Sequence, residues 1–402
     1  MPPASKIPTL RLRLKPAAES IVRAGHPWVF AESFRYQNRD GATGELAVIF
    51  DRNNRFLAVG LYDAASPLRV RILHSGKPVS INSGWWKARA AEAFARRRNL
   101  FDGQTTGFRL IHGESDGWPG LVLDQYQSAR VMKIYTAAWL PRLAETADLL
   151  QGEGSLVLRL SRNLQDLARD EFGLTDGQVL RGPALERPVV FLESGLRFEA
   201  DVLRGQKTGF FLDQRENRRN VEALARGRSV LNLFSFSGGF SLYAARGGAT
   251  NVCSLDVSEH ALEAARRNFA LNQNHASIAR CRHETIQADA FAWLQAAVER
   301  RFDLIIIDPP SLARRAADKN EARAAYARLI EAGIARLQPY GILVAASCSA
   351  HVTAEEFFAL ARNCAKRSGR KSNELRTTSQ PADHPAAFAE ARYLKCIYFS
   401  FA

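Results

Sequence analysis

The sequence predicts an α/β protein whose C-terminal half is a doubly wound, mostly parallel sheet, preceded by a small β-rich module and a middle α+β domain. Three observations predict it. From about residue 205, strand candidates rich in Val, Ile and Leu alternate with helical stretches, the pattern of a sheet covered on both faces. Residues 8–75 instead carry short period-two strands separated by turn residues. Between them, residues 108–185 mix strands with helices. The boundaries are placed at 1–76, 77–187 and 188–402.

In the first module, Thr9 to Lys15 alternates apolar and basic residues, as Leu46 to Phe50, Phe56 to Tyr62 and Leu68 to Leu73 alternate in their turn. Arg39-Asp-Gly41, Asp51-Arg-Asn-Asn54 and Asp63-Ala-Ala-Ser-Pro67 punctuate them. A helix is expected over Glu19 to Ala24, and a longer one over Trp85 to Arg98. Strands are expected at Arg109 to His112, Gly120 to Asp124, Arg130 to Tyr135 and Ser155 to Leu160, with a helix from Leu140 to Leu150 and a hairpin over Val189 to Asp201. The parallel sheet draws on Ser229 to Phe234, Asn251 to Leu255, Phe302 to Ile307 and Ile342 to Ala346. Its helices are expected over Gly239 to Arg246, Glu259 to Asn272, Asp289 to Arg300, Asn320 to Leu337 and Thr353 to Lys366.

The chain has 402 residues, 46% hydrophobic and 24% charged, enough to bury a large core without staples. No apolar run reaches the length of a bilayer span, and Met1 to Lys15 lacks the apolar centre of a signal peptide, so a cytoplasmic location is expected and a membrane partner is not. Five scattered cysteines with no C-x-x-C pair suggest neither a disulfide framework nor a metal site. Lys and Arg exceed Asp and Glu by 55 to 41. The excess is +10 in residues 1–100, −4 in 101–200 and +8 in 201–402, so both ends of the chain are suited to a polyanion, although an Arg-rich soluble enzyme would show the same balance.

The first strand of the parallel sheet runs through Asn232-Leu-Phe-Ser-Phe-Ser-Gly-Gly-Phe240 into a helix, a turn that lets backbone approach a ligand. Asp256 ends the second strand, eighteen residues after Gly238, where it can accept hydrogen bonds from ribose hydroxyls. These features fit NAD as well as S-adenosylmethionine, although no strict G-x-G-x-x-G is present. Two more strand ends, Ile307-Asp-Pro-Pro310 and Ala346-Ser-Cys-Ser349, face the same crevice.

With these motifs in place, the chain resembles the RlmI-like large-subunit ribosomal RNA cytosine-C5 methyltransferases. The resemblance rests on Gly25-His-Pro-Trp28, Arg109-Leu-Ile-His-Gly-Glu-Ser-Asp-Gly117, Gly205 to Asn217, Asn232 to Phe240, Asp308-Pro-Pro310, Ser347-Cys-Ser349, Ala382-Asp-His-Pro385 and Tyr393-Leu-Lys395. It covers nearly the whole chain, in order. Ser311, after the prolines, departs from relatives that often carry Lys or Ala followed by Phe. The resemblance implies an N-terminal PUA domain, a middle α+β domain and a Rossmann-like methyltransferase domain using S-adenosylmethionine. The implied cofactor site comprises Lys207, Thr208, Asp213, Gln214, Arg215, Phe234, Ser235, Ser237, Gly238, Gly239, Asp256, Val257, Asp289, Ala290, Asp308 and Pro309.

Carbon 5 of cytosine is a poor nucleophile until a thiolate adds to carbon 6, so the reaction needs an activated cysteine and a proton acceptor. Cys348 lies between two serines at a strand end, whereas Cys253 and Cys396 fall inside apolar strands and Cys281 and Cys364 away from the strand-end loops. The resemblance assigns the nucleophile to Cys348. Asp308 is placed for the cytosine edge, and His384 is the candidate base for the carbon 5 proton. Arg11, Arg13, His26, Trp28, Arg69 and Arg71 are candidates for RNA contacts, although basic residues alternating along a strand also make an ordinary solvated face. The expected partner is large-subunit ribosomal RNA, with a homodimer left open and no metal. Two alternatives stay open: a methyltransferase acting on a purine nitrogen of RNA with Cys348 structural, and a non-catalytic RNA-binding ribosome-assembly factor.

Overall fold

The protein is described as a computed structural model covering residues 9–296, 300–313 and 315–402. Its backbone contacts divide it into two units. The first comprises Met1–Ser194, Ala200–Phe210 and Asp383–Ala389, and the second Gly195–Glu199, Phe211–Ala382 and Glu390–Ala402.

The first unit opens with β1 (Leu10–Leu14), α1 (Pro16–Arg23), β2 (Trp28–Val29), β3 (Phe34–Gln37), β4 (Leu46–Phe50), β5 (Phe56–Tyr62) and β6 (Val70–Ser75). They form a six-stranded sheet in the order β2-β6-β5-β4-β1-β3. The alternation in β1 is realised: Leu10, Leu12 and Leu14 are buried, and Arg11 and Arg13 are exposed. Helix α1 starts earlier than the sequence predicts because Pro16 supplies a fixed first-turn φ, and it ends at Arg23.

Helix α2 (Ser83–Ala95) follows, then β7 (Gly107–His112), β8 (Leu121–Tyr126), β9 (Ala129–Ile134), α3 (Leu143–Leu150), β10 (Leu156–Leu160), α4 (Gln165–Phe172), β11 (Val179–Arg181) and β12 (Val189–Glu193). Strands β7 to β11 make a five-stranded sheet in the order β11-β10-β9-β8-β7. The predicted helix over Trp85 to Arg98 stops at Ala95. Arg97 turns inward instead, its guanidinium 2.6 and 2.9 Å from the buried carboxylate of Asp116. Trp86, Trp118 and Trp139 pack together in a core that also takes in Leu61 and Leu73 from the first sheet. Asp63, at the end of β5, accepts hydrogen bonds from Thr136 Oγ1 at 2.6 Å and the Ala137 amide at 3.2 Å. Residues 9–75 are thus joined to the second sheet.

The chain reaches the second unit through β13 (Leu196–Ala200). That unit continues with α5 (Arg215–Leu224), β14 (Ser229–Leu233), α6 (Gly239–Arg246), β15 (Asn251–Asp256), α7 (Glu259–Leu271), α8 (Ala276–Arg280), β16 (Arg282–Gln287), α9 (Ala290–Gln295), β17 (Phe302–Ile307), α10 (Lys319–Ala335), β18 (Leu337–Ser347), α11 (Ala354–Arg367), β19 (Ser372–Ser379) and β20 (Lys395–Phe401). The sheet order is β16-β15-β14-β17-β18-β20-β19, the first five strands parallel and the last two antiparallel to their neighbours. Leu231, Leu233, Ile305, Ile307 and Leu343 fill the core beneath α10 and α11. The strand order reverses beside β14, so the carboxyl ends of β14, β15, β17 and β18 flank a topological switch point. The predicted helix over Asp289 to Arg300 is seen as α9 through Gln295, and its stretch at 297–299 lies outside the described residues. The predicted helix over Asn320 to Leu337 ends at Ala335, because Leu337 already pairs with Phe302 as the start of β18.

Candidate active site

Beyond β14 the backbone takes an unusual path. Phe234 and Phe236 have φ of 56° and 48°, and Gly238 has φ of 75° at the N-cap of α6. Left-handed conformations at bulky residues cost energy and persist where surrounding structure holds them, often at ligand sites. Here the holder is Asp256. One carboxylate oxygen accepts the Phe236 amide at 2.8 Å and the other the Ser258 amide at 3.0 Å. A Cβ at Gly238 would lie 2.8 Å from that of Ala265, so glycine is required there for close packing as well as for its φ. The hydroxyls of Ser235 and Ser237 are buried with no partner among the described residues. Buried hydroxyls are nearly always satisfied, so these two fit a turn completed by a polar ligand. Next to Asp256, Val257 is 69% exposed, an apolar surface suited to a planar base. Asp289 caps α9 through the Ala292 amide at 2.8 Å, followed by the buried Ala290.

Strand β17 delivers Asp308, half-buried, with Pro309 buried behind it. Gln214 Nε2 donates to Asp308 Oδ1 at 2.9 Å, and Gln214 Oε1 accepts from Asn217 at 2.6 Å. Asn217 in turn accepts from the hydroxyls of Thr378 at 2.5 Å and Tyr398 at 2.9 Å. This chain of polar groups fixes both Gln214 and the carboxylate it meets. Asp213 accepts the Tyr393 hydroxyl at 2.8 Å, and Arg215 is buried.

Cys348 follows β18. Of the five cysteines it alone is not buried. Its sulfur stands 4.0 Å from the Pro309 carbonyl oxygen, so the β17 and β18 loops meet there. Ser311 and Ser349 both donate hydroxyls to the Ala313 carbonyl, at 3.0 and 3.1 Å, while Ser347 donates to the Tyr326 hydroxyl at 2.9 Å. Burial pushes the other thiols away from ionisation: Cys253 to about 12, Cys281 and Cys364 to about 11, and Cys396 higher still.

Sequence reasoning missed Lys395 as a member of this group. It is fully buried at the start of β20, opposite Ser347 in the register, and its ammonium donates to the carbonyls of Ser349, Val352 and Tyr393. The signal that marks it is the Tyr393-Leu-Lys395 motif, which carries no role of its own in the sequence. Asn217 and Tyr393, which fix Gln214 and Asp213, were missed with it.

The remaining candidates belong to the first unit. Thr208 donates to Asp124 at 2.6 Å beside the Tyr126 hydroxyl, and the carbonyl of Lys207, at φ 52°, accepts from Lys133. His384 is buried, with Nδ1 3.2 Å from an Asp383 oxygen and its ring edge-on to His112 at 5.1 Å between centroids. Asp383 itself accepts the Arg109 amide at 3.0 Å, and its carbonyl accepts Arg97 at 2.8 Å.

The N-terminal basic residues divide into two kinds. Arg11 stacks over Phe50 and Arg13 over Tyr36, both exposed, and Arg69 lies over Tyr62. Arg71 instead pairs with Glu114 at 2.5 Å, and the same carboxylate accepts the Trp28 indole at 2.8 Å. His26 meets Trp28 edge-on, and Phe388 packs against both rings. Trp28 and Arg71 are therefore committed to a contact 86 and 43 residues away, which the local pattern could not show. Among the described residues there is no group of His, Cys, Asp and Glu able to hold a metal ion, and no helix long and apolar enough to cross a membrane.

Comparison with known proteins now bears on this geometry. Residues 109–385 match a family described as S-adenosylmethionine-dependent methyltransferase, and residues 12–75 match a PUA-like domain. A Deinococcus radiodurans protein called "Ribosomal RNA large subunit methyltransferase" is 55% identical, covering 98% of each chain. A Shewanella amazonensis protein called "Ribosomal RNA large subunit methyltransferase I" is 33% identical over 96% of this chain and 98% of its own. A solved SAM-dependent methyltransferase from Streptococcus mutans superposes with a TM-score of 0.81 at 22% identity, covering 98% of this chain and all of its own. A methyltransferase solved in complex with SAH gives the same values. Both likenesses are likenesses of fold.

Proposed function

We propose that this chain, which belongs to the S-adenosylmethionine-dependent methyltransferases and carries a PUA-like domain, methylates carbon 5 of a cytosine in large-subunit ribosomal RNA. Cytosine as the target rests on one observation: the half-exposed Cys348 stands beside the Asp308-Pro309 loop while the four other thiols are buried. The names of the relatives support the RNA as substrate.

When bound, S-adenosylmethionine supplies an electrophilic methyl group. The turn from Phe234 to Gly239 is suited to hold it: Asp256 for the ribose hydroxyls, Ser235 and Ser237 for its polar groups, and Val257 and Ala290 for the adenine. Gln214 and Pro309 flank Asp308 on the reacting side, and Asp213 and Arg215 order the segment before α5.

The Cys348 thiolate adds to carbon 6 of a cytosine taken out of any stack, forming a C–S bond and moving an electron pair to carbon 5. Asp308 receives the exocyclic amine and fixes the ring. After carbon 5 has accepted the methyl group, a base removes its proton, the electron pair re-forms the ring double bond and the C–S bond breaks, returning the thiolate. Arg11 and Arg13 are the N-terminal side chains best suited to phosphates, since both are exposed and each is steadied by an aromatic ring, whereas Arg69 is half-buried over the buried Tyr62.

The test is trapping by RNA containing 5-fluorocytidine, in which no proton can leave carbon 5. The parent should form a covalent adduct and Cys348→Ser should form none, because a hydroxyl is hardly ionised near neutral pH. Near-parental turnover by Cys348→Ser would overturn the thiolate mechanism and favour methylation of a purine nitrogen. RNA bisulfite sequencing of a strain lacking the gene should lose one 5-methylcytosine.

A further inference from the structure

The steps above assign Lys395 no role, yet its surroundings are costly. An ammonium removed from water loses several kcal/mol of solvation unless it is paired and hydrogen-bonded. Lys395 is fully buried, and its three partners are backbone carbonyls: Ser349, Val352 at 2.5 Å and Tyr393 at 3.0 Å. Carbonyls satisfy its hydrogen bonds but leave its charge. A leucine or methionine would fill the same volume between β18 and β19 without that penalty. Two of the three carbonyls belong to the turn that follows Cys348, one and four residues beyond it.

We propose that Lys395 is a positioning residue for Cys348: its ammonium fixes the turn that carries the thiol and provides the fixed positive charge against which the thiolate forms. This deepens the thiolate reading above and rests on it. Three observations support it. Lys395 sits opposite Ser347 in the β18–β20 register, so the ladder anchors it beside the strand end from which the Cys348 turn departs. Among the described residues no carboxylate comes within ion-pair distance of its ammonium, which leaves the charge for another anion. Burial lowers the Lys395 pKa to about 8, and the group that raises it most is Cys348, ahead of Glu356 and Glu355 at the start of α11. Attraction is reciprocal, so the ammonium lowers the cost of ionising Cys348 by as much as the thiolate raises the Lys395 pKa.

The geometry around the pair favours this arrangement over a purely structural lysine. The Ala313 carbonyl, bonded by both Ser311 and Ser349, ties the β17 loop to the turn that Lys395 holds. A thiol carried on a rigid turn that a positive charge holds is suited to act as a nucleophile at neutral pH.

The experiment measures the pH dependence of Cys348 alkylation by iodoacetamide in the full-length protein, with the modified residue identified by peptide mass. In the parent, the midpoint should lie below the roughly 8.5 of a free thiol. In Lys395→Met it should rise by about one pH unit, the scale set by a neighbouring opposite charge. Lys395→Gln keeps N–H donors for the carbonyls and removes the charge, so its midpoint should follow Lys395→Met. Both variants should lose methyl transfer in kcat with little change in the KM for S-adenosylmethionine. A parental midpoint at or above that of a free thiol would overturn the proposal without any variant. So would a Lys395→Gln profile that coincides with the parent's. Failure of the parent to trap 5-fluorocytidine RNA would sink the cytosine reading instead, a result the alkylation profile does not depend on.

Discussion

Replacing Asp256 by alanine tests the ribose-binding role proposed for it together with its observed hold on the turn. Its oxygens hold the amides of Phe236 and Ser258 at 2.8 and 3.0 Å, and the first of these keeps a left-handed phenylalanine in the turn. Hydrogen bonds to a charged acceptor contribute about 1.5–3 kcal/mol when well shielded, and Asp256 is only half-buried, so about 1 kcal/mol each is the reasonable share here. The free protein should therefore lose about 2 kcal/mol of stability. On the proposed ribose assignment binding should suffer further, because the variant loses those contacts and must also reorder the Phe234–Gly238 turn. A loss of about 1.5–3 kcal/mol, or roughly 10- to 150-fold in Kd for S-adenosylhomocysteine, is expected. Asp256→Asn should fall between, since its amide offers one acceptor to two N–H donors. Isothermal titration calorimetry on folded protein reads the affinity, and thermal unfolding reads the stability. An Asp256→Ala protein that binds within threefold of the parent would refute the reasoning.

Gly238→Ala should destabilise by about 1–3 kcal/mol, from a left-handed φ and a Cβ pressed against Ala265, and calorimetric unfolding checks it. His283, stacked on Phe269 and bonded to Ser254, has its pKa lowered to about 4 by burial, so its neutral form is the folded one. Its contribution is intact above about pH 6.5, the unfolded value, and is lost as pH falls through about 4, by about 3 kcal/mol in all. The urea midpoint of His283→Gln should depend less on pH over that window than the parent's. Arg11→Ala with Arg13→Ala should lower the salt slope of RNA binding by about 0.7 per arginine if each meets a phosphate of single-stranded RNA, while Arg71→Ala should instead cost stability by stranding Glu114. Deleting residues 1–75 outright would uncover Trp86 and the core around it, so these point changes are the sound measure of that module.

The parallel sheet and the four strand ends that carry the candidate residues were legible because apolar runs such as Phe302 to Ile307 and residues such as Asp256 and Asp308 announce themselves locally. Other elements were hidden by polarity. Strand β16, Arg-His-Glu-Thr-Ile-Gln, and β19, Ser-Asn-Glu-Leu-Arg-Thr-Thr-Ser, lie at the two edges of the sheet, where one side meets water and no apolar period is imposed. Helix α5 buries Arg215, Asn217 and Arg218, so its inward face is polar and hydropathy reads it as a solvated start. Lys395 was hidden for the same reason: a lysine opening a strand looks like its wet end. Trp28 and Arg71 look like an RNA-facing pair until the fold brings Glu114 to them. In each case the deciding partner is distant in sequence.

The short stretch Asp383–Ala389 belongs to the first unit although it arrives near the end of the chain. Arg109 must wait 274 residues for the carboxylate that its amide engages, and Trp28 waits longer still for Phe388. At translation rates of about 5–20 residues per second, that interval is roughly 15–55 s. The first unit cannot be finished as it leaves the ribosome, and a nascent chain halted before Asp383 carries an incomplete one. Vectorial, domain-by-domain folding is thus closed to this protein at its last step. Ribosome-stalled chains of increasing length should gain full protease resistance in residues 9–194 only once Ala389 has emerged.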